Sequence, residues 1–207
     1  MRSADFKAKG KEMLSGNWTT AIVVLIITSV LLGVGNVFGL KIGSGTKIGE
    51  VDFSTKLNII QYVIGGAVSV GIAGVYLGFL RQGKSSVERM FDGFTECFIP
   101  ALIANIINSV AVTLGCILLL VPGIIVALMF SQTFYILRDH PDMSGMDALM
   151  ASKDMMQGHK MELFKLELSF IPWFLTCILV IPMFYVIPYF TASITAFYEY
   201  VKQENDF

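Results

Sequence analysis

Residues 97–137 read CFIPALIANIINSVAVTLGCILLLVPGIIVALMFSQTFYIL, forty-one positions without an acidic or basic side chain. As one helix, at 1.5 Å per residue, the stretch would be about 62 Å long. The hydrocarbon core of a bilayer is about 30 Å thick, so the stretch predicts two spans folded back on each other. Val121-Pro122-Gly123 is the break within it. Proline lacks an N–H and restricts the residue before it, and glycine tolerates a tight turn. Pro122 and Gly123 are therefore the expected hairpin turn.

Composition agrees with a membrane protein. Of the 207 residues, 55% are hydrophobic and 15% charged, and the formal charge of −1 gives no basic surface for nucleic acid. Mean hydropathy is +0.69, outside the range of an ordinary soluble domain of this size. The three cysteines, Cys97, Cys116 and Cys177, are far apart and fall in or beside apolar runs, as packing thiols do. No cleavable signal peptide is expected, because the charged N-terminal region is long and no small-residue cleavage site follows the first apolar stretch.

Working outward, the uncharged runs predict an all-α polytopic protein. Six transmembrane helices in three hairpins are expected, near residues 18–40, 57–80, 98–120, 122–137, 165–182 and 184–201. The last uncharged run, 168–198, would be about 46 Å as one helix. Pro182 and Pro188 favour a hairpin over a single tilted crossing, although charge does not decide between them. Short amphipathic helices are expected at the interface near residues 3–15, 86–97 and 145–157. The first would turn its basic side to headgroups. The third opens on Ser144-x-x-Asp147, a capping-box-like start, and stops at Gly158, with Met146, Leu149, Met150 and Met156 as an adaptable apolar face.

Small residues mark helix packing. Gly74-x-x-x-Gly78 and Gly65-x-x-x-Ser69 in the second span, with Gly35-x-x-x-Gly39 in the first, would let helix backbones approach, within the chain or across a dimer. With both termini on one side, twelve of the fifteen lysines and arginines share that side, leaving only Lys41, Lys47 and Lys56 opposite. That bias makes both termini cytoplasmic.

Several motifs together resemble a known family: ALMASKDMMQGHKMELF (148–164) running into LSFIPW (168–173), LVPGI (120–124), Pro188-Tyr189 and AFYE (196–199). They resemble domain-of-unknown-function family 975, multi-pass membrane proteins of bacteria, over nearly the whole chain. The sharpest part is the loop carrying Ser152, Gly158, His159 and Lys160; Pro172 stands where the resemblance expects glycine. The family looks distantly similar to the membrane domain that accompanies some glycerophosphodiester phosphodiesterases. The resemblance implies a bacterial inner-membrane location and no particular activity.

No ionisable residue lies inside an expected span, which argues against proton- or sodium-coupled transport. The two histidines, His140 and His159, form no metal-binding spacing with each other, and no phosphate-binding or nucleophile-elbow motif is present, so neither metal nor cofactor is expected. His159-Lys160 reads as a basic helix end facing anionic headgroups. The polar residues inside the spans are neutral. Asn105, Asn108 and Ser109, with Gln132 on the next span, form interhelical hydrogen bonds or line a polar cavity for a neutral solute or lipid headgroup. The sequence thus predicts a non-enzymatic membrane component that contacts lipids and another membrane protein or a second copy, acting in envelope stress, export or self-immunity. The competing expectation is an uncoupled transporter for a neutral or lipidic substrate.

Overall fold

The computed structural model describes residues 3–32, 53–177 and 182–205. In chain order the helices are α1 (Ser3–Leu14), α2 (Trp18–Leu32), α3 (Phe53–Gln82), α4 (Asp92–Thr95), α5 (Phe98–Leu118) and α6 (Leu120–Phe130). They are followed by α7 (Thr133–Asp139), α8 (Gly145–Met155), α9 (Lys160–Leu168), α10 (Ile171–Thr176) and α11 (Met183–Glu204). A 3-10 turn at Val87–Phe91 leads into α4, and every regular element among the described residues is helical.

Three helical stretches are long and apolar enough to cross a membrane: Ile60–Gln82, Phe98–Ile117 and Val121–Asp139, the last running across α6 and α7. A fourth exists if α1 and α2, bent by 97° from each other, count as one broken span. By length and composition, these match three of the six expected crossings among the described residues, those near 57–80, 98–120 and 122–137. α9 and α10 have nine and six residues. At about 14 and 9 Å neither reaches across hydrocarbon alone, and the expected span at 165–182 is interrupted at Ser169-Phe170. α11, with twenty-two residues, has the length, about 33 Å, but carries tyrosines and three charges toward its end.

The central hairpin is present with a shifted turn. The chain reverses at Leu119, the one extended residue between α5 and α6 (φ −166°, ψ 149°). A Cβ built on Gly115 would sit 2.9 Å from the Cα of Gly123. Eight residues apart in one helix, those positions would be about 12 Å apart, so the two helices do fold back. Pro122 and Gly123 lie inside the first turn of α6, where a missing proline N–H breaks no hydrogen bond. The second expected turn moves as well. Pro182 caps the start of α11, whereas Pro188 is inside that helix, which continues through it.

α11 is the axis of the bundle. Seven consecutive residues, Ala192 to Tyr198, are buried, which requires neighbours on every side. One neighbour is α1, whose Phe6 meets Phe197 and Tyr200 at ring-centroid distances of 5.3 and 5.4 Å. Lys7 donates to the Ser169 carbonyl (2.8 Å) and lies over the Phe170 ring. α1 is amphipathic as expected, but its apolar face is taken by protein. Asn17 closes the α1–α2 corner by donating to the carbonyls of Met13 and Gly83, and Trp18 stacks on Tyr185.

The expected helix at 86–97 is the 3-10 turn plus one turn of α4, seated on the small-residue face of α3. A Cβ on Gly71 would lie 1.8 Å from the Met90 carbonyl oxygen, and one on Gly93 would lie 2.1 Å from that of Ala67. α8 forms within the expected bounds. Ser144 accepts from the Asp147 N–H (3.2 Å) at its start, and Gly158 adopts φ 85° beyond its end. Its methionine face divides: Leu149 and Met156 are buried, whereas Met146 and Met150 are exposed.

Candidate functional site

The span made of α6 and α7 is broken at Ser131-Gln132, where backbone carbonyls lose their helical partners. Three hydroxyls serve them. Ser131 Oγ donates to Leu128 O, Ser152 Oγ to Met129 O and Thr133 Oγ1 to Phe130 O, each at 2.8 Å. Ser152 also accepts the Gln132 N–H (3.2 Å), so one side chain from α8 bridges both edges of the break. Ser152, Gln132 and Thr133 are all fully buried. Ser152, the first residue of the sequence motif, is a staple between two elements.

Gln132 donates from Nε2 to Ser131 Oγ (2.9 Å), and its Oε1 has no partner among the described residues. Asn105 points elsewhere: its Nδ2 donates to the Tyr62 carbonyl on α3 (3.0 Å), and the Tyr62 hydroxyl donates back to Asn105 O (3.4 Å). Asn108 Oδ1 is buried and unpartnered, and Ser109 is half-buried. No hydrogen bond joins Asn105 or Asn108 to Gln132. The set proposed for one polar face therefore divides, Asn105 serving the α3–α5 contact and Gln132 the break.

The glycine stripe of α3 meets partners other than the first span. A Cβ on Gly66 would lie 2.3 Å from the Ala101 carbonyl oxygen. One on Gly74 would lie 2.7 Å from Arg138 Nε, and one on Gly78 2.6 Å from Ser85 Oγ and 3.0 Å from Arg89 Nη1. Gly65 has room, its nearest neighbour being Asn105 Nδ2 at 3.6 Å, and Ser69 bonds back to the Gly65 carbonyl. Gly35 and Gly39, the expected partners, lie outside the described residues.

Charges join the C-terminal ends of α3, α7 and α11. Arg81 forms a fork with both Asp139 oxygens (2.8 Å each) and reaches Glu199 (2.8 Å). Asp139 also accepts from Tyr198 (2.9 Å) and pairs with Lys202. Arg138 turns to the α4 region, bonding Asp92 and Glu96 at 2.7 Å. Between these groups lies an open cavity of about 220 Å³, lined by Gly74, Gly78, Arg81, Arg89, Arg138 and Asp139 among others. A larger one, about 350 Å³, lies between α1 and the end of α3, beside Lys9, Glu12 and Gly83. Neither is lined by Asn105, Asn108 or Gln132.

The rest of the motif lies at the start of α9. His159 caps α9, its ring edge-on to Tyr200 and 3.5 Å from the Glu162 carboxylate, and Lys160 opens the helix. Among the described residues no group of three His, Cys, Asp or Glu side chains could hold a metal ion. Cys97 is buried, and that burial pushes its thiol upward, which favours a protonated packing group.

The outer surface is as specific as the interior. Ile99, Ile103, Ile106, Val110, Leu114 and Ile117 recur every three or four residues on α5, and all are exposed. They form one unbroken apolar stripe along a helix of spanning length.

Fold and surface together define a class: an all-helical protein with three helices able to cross a membrane. Residues 112–205, a little under half of the chain, match the family described as "Protein of unknown function (DUF975)". No curated protein and no solved structure matches. The match does not reach the membrane domain of the glycerophosphodiester phosphodiesterases.

Proposed function

We propose that this chain is a non-enzymatic, multi-pass protein of the bacterial inner membrane, and that it works through the faces it turns outward, toward lipid and toward another membrane protein or a second copy. The observation that carries the reading is the α5 stripe from Ile99 to Ile117, an apolar face left exposed among the described residues. The hydroxyls at the α6–α7 break and Asn105 are engaged within the protein, which favours a scaffold over a conduit. Six crossings with both termini cytoplasmic remain our topology. It draws on the charge bias of the loops and on the ion pairs that join the C-terminal ends of α3, α7 and α11. Envelope stress, export and self-immunity are the processes such a component would serve.

A photo-crosslinking side chain placed at Ile106 or Val110 in native membranes tests the reading. Adducts to lipid or to one defined membrane protein, absent when the probe replaces buried Ala104, are expected. Two buried acceptors without partners, Asn108 Oδ1 and Gln132 Oε1, favour a second reading, passage of a neutral hydroxylated solute. Solute flux into sealed proteoliposomes that Asn108→Leu and Gln132→Leu abolish would replace the first reading by the second.

A further inference from the structure

The cavity at the joined ends of α3 and α7 stands apart from the α5 stripe, and what it does is independent of that stripe. Its wall brings three guanidinium groups, those of Arg81, Arg89 and Arg138, into about 220 Å³ with a single carboxylate, Asp139. That carboxylate is already neutralised by Arg81 and Lys202 and accepts a further hydrogen bond from Tyr198. Arg81 and Arg138 are each held by two carboxylates, so their positions are fixed. The charges of the whole region balance, but not within the cavity wall. Arg138 is 17% exposed while its partners Asp92 and Glu96, at 32% and 45%, face more toward water.

Arg89 is the group left over. Its one hydrogen bond runs to a neutral acceptor, Gln82 Oε1 (2.8 Å), and no carboxylate lies within ion-pair distance of it among the described residues. Ser85 Oγ is buried without a partner. It sits 2.6 Å, and Arg89 Nη1 3.0 Å, from the point where a Cβ on Gly78 would be. Both side chains pack closely on Gly78, where a Cβ would be crowded, and of the two it is Arg89 that lines the cavity. Arginine is the side chain whose planar fork matches phosphate oxygens.

Height in the membrane narrows the source of the anion. Arg81 and Asp139 fall at the last residues of two of the three candidate spans, Ile60–Gln82 and Val121–Asp139. There a helix leaves hydrocarbon and meets headgroups.

We propose that this cavity binds a phosphate group, supplied by the headgroup of an anionic lipid or by free phosphate, with Arg89 as its dedicated donor and Arg81 and Arg138 as a fixed cationic wall. The test uses the full chain, delipidated in detergent and free of phosphate and sulfate. Short-chain phosphatidylglycerol, inorganic phosphate and, as the uncharged control, a short-chain diacylglycerol are titrated separately, and occupancy is read by native mass spectrometry. Arg89→Gln is compared with Lys84→Gln, which removes an equal charge from an exposed neighbour outside the cavity.

Tenfold or greater loss of phosphatidylglycerol binding in Arg89→Gln, with Lys84→Gln close to wild type, is expected. Inorganic phosphate that competes with the lipid shows that the phosphate itself is read; binding of the lipid alone assigns the site to a headgroup, and of phosphate alone to the free anion. Equal occupancy in wild type and Arg89→Gln, equal loss in both variants, or no anion binding at all overturns the proposal. Should Arg89→Gln fail to fold, the wild type decides: phosphatidylglycerol must slow phenylglyoxal modification of Arg89 several-fold, and absence of protection is an equally clear refutation.

Discussion

Ser152→Ala isolates the staple at the α6–α7 break. The hydroxyl it removes donates to Met129 O (2.8 Å) and accepts from the Gln132 N–H (3.2 Å), both in a fully buried setting. Alanine is nearly the same size, so the change leaves two backbone groups unpaired without opening a cavity of consequence. An orphaned buried donor or acceptor costs about 1–3 kcal/mol, and hydrogen bonds between helices in membranes average about 0.6 kcal/mol with a maximum near 1.7. Two groups at the membrane scale and one at the full penalty bracket the effect at about 1–3 kcal/mol. In a chain of this size that corresponds to a fall in Tm of a few degrees, about 2–4 °C per kcal/mol. Thermal unfolding in detergent reads the sum, and amide hydrogen exchange at Gln132 reads the place. That amide should exchange much faster in Ser152→Ala while the amides of α11 keep their protection. Unchanged Tm together with unchanged exchange at Gln132 would refute the staple. A Tm loss without local exchange would place the effect elsewhere in α8.

Other changes probe other joints. Gly71→Ala sets a Cβ 1.8 Å from the Met90 carbonyl, so it should destabilise by about 1–3 kcal/mol or more and release the 87–95 segment to protease. Gly65→Ala, with 3.6 Å of clearance on the same helix, should be neutral or slightly stabilising in the same thermal scan, because alanine is the better helix former by up to about 1 kcal/mol. Asp139→Asn removes the shared negative charge, and one of the two acceptor oxygens, from Arg81, Lys202 and Tyr198. With Arg81 36% exposed, the loss should fall between about 1 kcal/mol for a surface pair and about 3–5 for a buried one, and should shrink in Arg81→Gln, a double-mutant cycle that equal losses would contradict. Phe6→Ala should cost about 3–5 kcal/mol and make α1 accessible to protease, whereas a helix merely resting on lipid would show neither effect.

What the sequence disclosed follows from the range of each signal. Absence of charge over residues 97–137 is a continuous property, so the hairpin was legible, and only its turn was misplaced. Proline and glycine are weaker punctuation than expected, because Pro122 fits the first turn of α6 and the chain could reverse three residues earlier, at Leu119. Helical spacing of Gly74 and Gly78 announced close approach on α3 but could not say to what. The answer, side chains of the 85–89 connection and Arg138, depends on how the chain returns. Ser152 stood out as part of a motif, yet its hydrogen bonds run to residues twenty and twenty-three positions away, a link no periodicity encodes. The pairing of Arg81 with Asp139 and Glu199, across 58 and 118 residues, was invisible for the same reason. The basic side of α1 is expected to face headgroups, whereas its Lys7 turns inward to the Ser169 carbonyl and the Phe170 ring.

The seat of α1 on α11 sets a schedule for biogenesis. Phe197 is made 191 residues after Phe6, so the apolar face of α1 is without its partner throughout that interval. At ~5–20 residues per second that interval is about 10–40 s. During it the face must rest on lipid or on the insertion machinery, and the three spanning stretches assemble around a vacancy where α11 will lie. Closure of the bundle then waits on α11, whose arrival draws α1 off the membrane surface.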